Sequence, residues 1–210
     1  MNLALSWRGI LLYPSAVHLI LSMKKHVPNA FTIFRGFALL GIAALFFSSI
    51  EERYVMAYLL FLLAAISDYL DGKIARSWAI ESDFGAIFDP LFDKILILSL
   101  FILLTPFSIV HPLVFVILLV RDISTDALRN MLLSRGIVVP AIYTAKLKTV
   151  FQMLMLNFIL LAIAFPSIPA FLPLAQLTAL IAVALSLWSG WIYVRRFIDF
   201  MRNDTASSIA

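Results

Sequence analysis

The apolar residues of this chain fall into long unbroken runs, without the short alternations that a half-buried strand would show. Six runs have roughly the 20 residues that an α-helix needs to cross a bilayer's hydrocarbon core. They are Phe31–Ser49, Tyr54–Ile74, Phe84–Thr105, His111–Leu133, Lys146–Phe165 and Phe171–Phe197. The pattern predicts an all-α integral membrane protein with six transmembrane helices. The connections alternate in charge. Lys24, Lys25, Lys73, Arg76, Arg129, Arg135, Lys146, Lys148, Arg195, Arg196 and Arg202 fall on one side. The other side has only Glu51-Glu52-Arg53 and two uncharged turns, "TPFSIVHP" and "PSIPAFLP". Lysine and arginine concentrate on the cytoplasmic side of membrane proteins. Both termini are therefore expected in the cytoplasm, with the chain a multi-pass protein of the inner (cytoplasmic) membrane.

The first segment breaks the pattern. Met1–Lys25 is apolar but interrupted by Arg8, Pro14 and His18, and it ends in Lys24-Lys25. A secretory signal has the reverse order, charge first and small residues last. The segment reads as an interfacial helix with Trp7 and Tyr13 at headgroup depth; a seventh span is the alternative. The expected organisation is an N-terminal interfacial amphipathic segment over 1–27, a membrane domain over 28–200 and a cytoplasmic tail over 201–210. The stretch "NDTASSIA" is expected to fray.

Composition supports a membrane domain. Of 210 residues 63% are hydrophobic and 13% charged, with a mean hydropathy of +1.02; a soluble domain is near half apolar and about a quarter charged. There is no cysteine, which excludes disulfides, zinc–thiolate sites and cysteine nucleophiles. The net charge of +4 fits topology and contact with lipid headgroups in such a protein, and no nucleic-acid partner is expected.

Against this background "SDYLDGKIARSWAIESDFGAIFDPLFDK", from Ser67 to Lys94, is anomalous, because it places Asp68, Asp71, Asp89 and Asp93 beside apolar spans. Ionisable residues in such positions usually face a polar cavity and mark a functional site. Asp68 and Asp71 are three apart and share a helical face, which Gly72 and Ala75 continue. Gly85, Asp89 and Asp93, spaced by four, share another. If the two faces meet, four oxygen ligands converge beside a cleft kept open by small residues. Such ligands suit magnesium, manganese or calcium rather than zinc. Four uncompensated carboxylates would repel one another, and one or two divalent cations would relieve this and could clamp a transferring phosphoryl group. A solvated helix end and ordinary packing glycines are the bland alternative, which four carboxylates in register with two glycines and an arginine fit poorly.

The string Asp68-x2-Asp71-Gly72-x2-Ala75-Arg76-x8-Gly85-x3-Asp89-x3-Asp93 resembles the signature of the CDP-alcohol phosphotransferase family of integral membrane enzymes, which join an alcohol to a phosphoryl group carried on CDP and release CMP. The resemblance implies that Asp68, Asp71 and Asp89 are metal ligands, and that Asp93 is both a ligand and the candidate general base. It implies two Mg2+ or Mn2+ ions, and a homodimer, as is common in the family. Gly72, Ala75 and Gly85 would make room for the cytidine, and Arg76 would lie near the diphosphate.

Further stretches narrow the choice. "PNAFTIFRG" is similar to the element that opens the first span in bacterial phosphatidylglycerophosphate synthases, and would add Asn29, Thr32 and Arg35 to the CDP site; an N-cap followed by an interfacial arginine is the alternative. "DPLFDK" resembles the same subfamily and the related cardiolipin synthases. "RDISTDALRNMLLSRG…AKLKTVFQM" resembles the family pattern at Arg121, Leu128-Arg129, Gly136, Lys146, Lys148-Thr149 and Gln152, with Asp122 where Glu is usual and Ala145 where Gly is usual. "WSGWIYVRRF" keeps Ser189-Gly190 and Tyr193, but has Ile192 where an aspartate is expected. Arg121, Arg129, Lys146 and Lys148 form a cationic set suited to an acceptor's phosphate dianion, although cations also sit at span ends to fix topology. Arg195 and Arg196 could reach that phosphate or only anchor the last helix to anionic lipid.

The expected reaction joins the phosphatidyl group of CDP-diacylglycerol, a membrane lipid, to glycerol 3-phosphate. A cardiolipin synthase using phosphatidylglycerol is the alternative, and an inositol-phosphate acceptor comes third. A cation-coupled transporter would need ionisable residues continuing across the bilayer, and the outer halves of the spans carry almost none.

Overall fold

Each of the six apolar runs forms an α-helix in the computed structural model, which describes residues 34–78, 83–137, 140 and 142–207. The helices are α1 (Phe34–Phe46), α2 (Arg53–Trp78), α3 (Asp83–Leu104), α4 (Pro112–Ser134), α5 (Tyr143–Ala164) and α6 (Phe171–Ser207). There is no strand among the described residues. The N-terminal segment over 1–27, Asn29 and Thr32 lie outside them. Two compact units divide the chain between Ser99 and Leu100.

In the first unit, α1 and α2 approach closely where Gly41 presents no side chain; a Cβ there would lie 2.7 Å from the Leu60 Cδ2. At the turn joining them, Phe46 meets the Tyr54 ring edge-on at 5.5 Å, and Arg53 lies over the same ring while its guanidinium donates to the Ser48 carbonyl. Among the described side chains of α2, Ala57, Phe61 and Ala64 are buried, while Met56, Leu59, Leu63 and Ile66 are about half exposed. A soluble amphipathic helix hides its large apolar residues and shows polar ones. Here large apolar side chains cover the outer face, as on a helix facing lipid.

The second unit repeats this inversion more strongly. Along α6 the buried residues include Ala175, Thr178, Ala179, Ala182, Ser186 and Ser189, whereas Leu177, Leu180, Leu187, Trp188 and Trp191 are exposed. Small residues on the inner face let helices pack closely without a hydrophobic drive between them. In accord with this, α6 packs on both α5 and α4. The α5 core is larger, with Met155, Leu156, Ile159 and Leu160 buried. Phe101 stacks on Phe115 at 4.7 Å, tying the end of α3 to the start of α4.

The boundaries have local causes. Thr105–Phe107 forms a 3₁₀ turn, and the His111 Nδ1 accepts the Leu113 N–H at 3.2 Å to cap α4, with Pro112 in the first turn. At the other end of α4, Gly136 adopts a left-handed φ of 79°. There its N–H donates to the Leu133 carbonyl at 2.9 Å, and the Ile137 N–H donates to Leu132 at 3.0 Å. This is the Schellman stop, which needs a residue without a Cβ at that φ. The "NDTASSIA" tail differs from expectation over its described part, since α6 continues to Ser207. Neither glycine nor proline follows Gly190, so nothing in the sequence breaks the backbone ladder.

Among the described residues, two segments are long and apolar enough to cross a membrane, Tyr143–Ala164 and Phe171–Arg202. The apolar parts of the earlier helices, Phe34–Phe46, Arg53–Ser67 and Lys94–Phe107, are shorter. α4 carries Arg121, Asp122, Asp126 and Arg129 within its length.

Candidate active site

The aspartate string lies on two consecutive helices. Asp68, Asp71, Gly72, Ala75 and Arg76 belong to α2, and Gly85, Asp89 and Asp93 belong to α3. Helical spacing makes Asp68 and Asp71 neighbours on α2, and Asp89 and Asp93 neighbours on α3. The positions three and four residues to either side of each aspartate contain no lysine or arginine, while Lys73, Arg76 and Lys94 stand elsewhere on the same helices. Among the described residues no group of three His, Cys, Asp or Glu side chains could hold a metal ion. The side chains of the four aspartates are outside that description. Their chemistry fits a hard divalent cation: ionised carboxylates are acceptor-only oxygen donors, and such donors select Mg2+ or Mn2+. Arg35, on α1, is 2% exposed, a degree of burial that an arginine reaches only with partners.

The second group of charges lies on α4, α5 and α6. Lys148, on α5, is buried, and its ammonium donates to both oxygens of Asp122 on α4, each at 2.7 Å. Arg121 donates from Nη1 to the same carboxylate at 3.0 Å. Its Nε donates to the Ser186 carbonyl at 3.1 Å, and its Nη2 donates to the Ser189 hydroxyl at 2.6 Å. That hydroxyl passes a hydrogen bond on to the Leu185 carbonyl at 2.6 Å. The guanidinium also lies 5.9 Å from the centre of the Tyr193 ring, within the range of a cation–π contact. Gly190 makes this approach possible, since a Cβ there would lie 3.2 Å from the Arg121 Cγ. An open cleft of about 280 Å³ beside Arg121 is lined by Thr125, Leu128, Gly190 and Trp191 among others.

The four cations expected to form one set are placed differently from one another. Arg121 and Lys148 share a carboxylate, whereas Arg129 and Lys146 are exposed. Asp122 was legible in the sequence only as a departure from pattern, and its service to both cations depends on how α4 is rotated against α5. Ser189, Gly190 and Tyr193 form the seat of Arg121. In the sequence they stand out only as a family-like motif, with no sign of the arginine 68 residues earlier. Gln152, one turn beyond Lys148, is 1% exposed, and neither atom of its amide has a hydrogen-bond partner among the described residues.

A family model for CDP-alcohol phosphatidyltransferases matches residues 25–188. The chain is 31% identical over 173 residues to the CDP-diacylglycerol–glycerol-3-phosphate 3-phosphatidyltransferase of Rickettsia prowazekii (strain Madrid E), an alignment covering 82% of this chain and 96% of the relative. It is 30% identical over 195 residues to the protein of the same name from Mycoplasma genitalium, covering 81% and 83%. It is 31% identical over 156 residues to that of Bacillus subtilis (strain 168), covering 74% and 80%.

Proposed function

The chain belongs to the CDP-alcohol phosphatidyltransferase family, and we propose that it transfers the phosphatidyl group of CDP-diacylglycerol to a hydroxyl of glycerol 3-phosphate, releasing CMP. The observation that carries this reading is the complete aspartate string on α2 and α3 inside the family match. The acceptor follows the names of the relatives, and it is supported by two cations, Arg121 and Lys148, held deep among apolar helices.

In the reaction the acceptor hydroxyl attacks the phosphorus that bears the diacylglycerol. A new P–O ester bond forms, the P–O bond to CMP breaks, and the electron pair leaves with CMP. Asp68, Asp71, Asp89 and Asp93 would hold the divalent cations, two Mg2+ or Mn2+ ions. Bound there, these ions supply neutralisation of the diphosphate's charge. Asp93 receives the hydroxyl proton as general base. Asn29, Thr32, Arg35 and Arg76 bind the CDP moiety, with Gly72, Ala75 and Gly85 leaving space for the base. Arg121, Arg129, Lys146 and Lys148 bind the phosphate of the acceptor.

The membrane arrangement in this reading has six spans, an interfacial segment over 1–27, both termini in the cytoplasm, and a homodimer in the inner membrane. The donor's acyl chains stay in the bilayer while its headgroup enters from the cytoplasmic leaflet. One observation favours a second acceptor: an Arg-Asp pair such as Arg121-Asp122 also suits a cardiolipin synthase that uses phosphatidylglycerol. The deciding experiment is CMP release by purified protein from CDP-diacylglycerol and magnesium, with glycerol 3-phosphate, phosphatidylglycerol or inositol phosphate in parallel. Release with glycerol 3-phosphate alone is expected; release with another acceptor alone reassigns the cationic cluster.

A further inference from the structure

A lysine and an arginine meant for a substrate phosphate would ordinarily be left open to it. In this protein both are already engaged, and the way they are engaged is selective. The Lys148 ammonium has three N–H groups, and Asp122 takes two through its two oxygens at 2.7 Å. Arg121 has five N–H groups, of which Asp122, Ser186 and Ser189 take three. One N–H of the lysine and two of the arginine are left over. The two cations sit on different helices, α4 and α5, and Asp122 is the group common to both. It is also the more exposed member of the lysine pair, at 25% against 5% for Lys148.

We propose that Asp122 is a positioning residue for the acceptor phosphate: its carboxylate fixes the Arg121 guanidinium and the Lys148 ammonium side by side, so that their remaining N–H groups meet the phosphate oxygens together. This rests on the reading of Arg121 and Lys148 as acceptor-phosphate groups. Ser189 shares the task, because its hydroxyl holds the far side of the guanidinium and is itself fixed by the Leu185 carbonyl. Geometry explains why a carboxylate is used. A long flexible ammonium loses much rotamer freedom when it is fixed, and a charge-assisted bond to each carboxylate oxygen sets that loss before the substrate arrives. Two cations and one carboxylate leave a charge of +1, enough to attract a phosphate dianion without the repulsion of two bare cations at one place.

The test is steady-state kinetics with magnesium on wild type, Asp122→Asn and Asp122→Glu, varying glycerol 3-phosphate and CDP-diacylglycerol separately. Asp122→Asn should raise the KM for glycerol 3-phosphate by about tenfold or more, the worth of one charge-assisted hydrogen bond. The KM for CDP-diacylglycerol should stay within about twofold. Asp122→Glu keeps the carboxylate and should recover most of the loss. An unchanged or lower KM for glycerol 3-phosphate in Asp122→Asn would overturn the proposal, as would a fall in kcat with no selective change in either KM. Should Asp122→Asn fail to fold, Ser189→Ala carries the same test with a smaller selective rise of about threefold, and no rise overturns it. Wild type that releases no CMP with glycerol 3-phosphate sinks the functional reading itself, a result separate from any difference between variants.

Discussion

The two charged regions of this chain solve opposite problems. On α2 and α3, the four aspartates of the string share their helices with Lys73, Arg76 and Lys94, none of which stands three or four residues from one of those aspartates. On α4 and α5, Arg121 and Lys148 share the carboxylate of Asp122 within the protein. The difference matches what each region is asked to meet. In the proposed reading the aspartates receive divalent cations. In that same reading the cation pair, held by its own carboxylate, offers its remaining N–H groups to the acceptor phosphate.

The largest effect that separates the two regions should come from Asp89→Asn. Removing one carboxylate from the cation receptor should lower CMP release by about two to three orders of magnitude or more, while the protein still inserts and elutes as folded material in detergent. Full activity in that variant would end the metal-site reading and with it the contrast. Gly190→Ala tests the other region more gently. The new Cβ would press on the Arg121 stem at 3.2 Å, at a cost of about 1 kcal/mol, with a rise of a fewfold in the KM for glycerol 3-phosphate. An unaffected KM would mean that Arg121 can move without consequence for the acceptor. Gln152→Leu should have the smallest effect, on stability. It removes two buried polar atoms that have no partner among the described residues, a relief of about 1 kcal/mol. This would be read as a modest rise in Tm in detergent; a fall would show that the amide is bonded in the folded enzyme.

The legibility of the sequence follows the same division. Signals that act within one helix could be read directly: apolar length predicted α1 to α5 within a few residues, and spacings of three and four put the aspartates on shared faces. Even so, α6 runs past the expected end of its span to Ser207, because a helix end without glycine or proline leaves no mark. Signals that act between helices were not legible. Asp122 and Lys148 are 26 residues apart on different helices, and nothing in either segment fixes their relative rotation. Gly136 was visible only as a motif letter, and its reason, a left-handed stop after α4, depends on where that helix ends. Ser189, Gly190 and Tyr193 were likewise noted without a role, since an arginine on α4 gives them theirs.

Tyr193 has a second contact of some consequence. Its hydroxyl accepts the N–H of Ile142 at 3.3 Å, at the residue where α5 begins. The same ring lies beneath the Arg121 guanidinium. The start of α5, and with it the height of Lys146 and Lys148, is therefore gauged from α6, which comes later in the chain. Relatives can be expected to vary in length between α4 and α5, while their lysines keep the same place on α5.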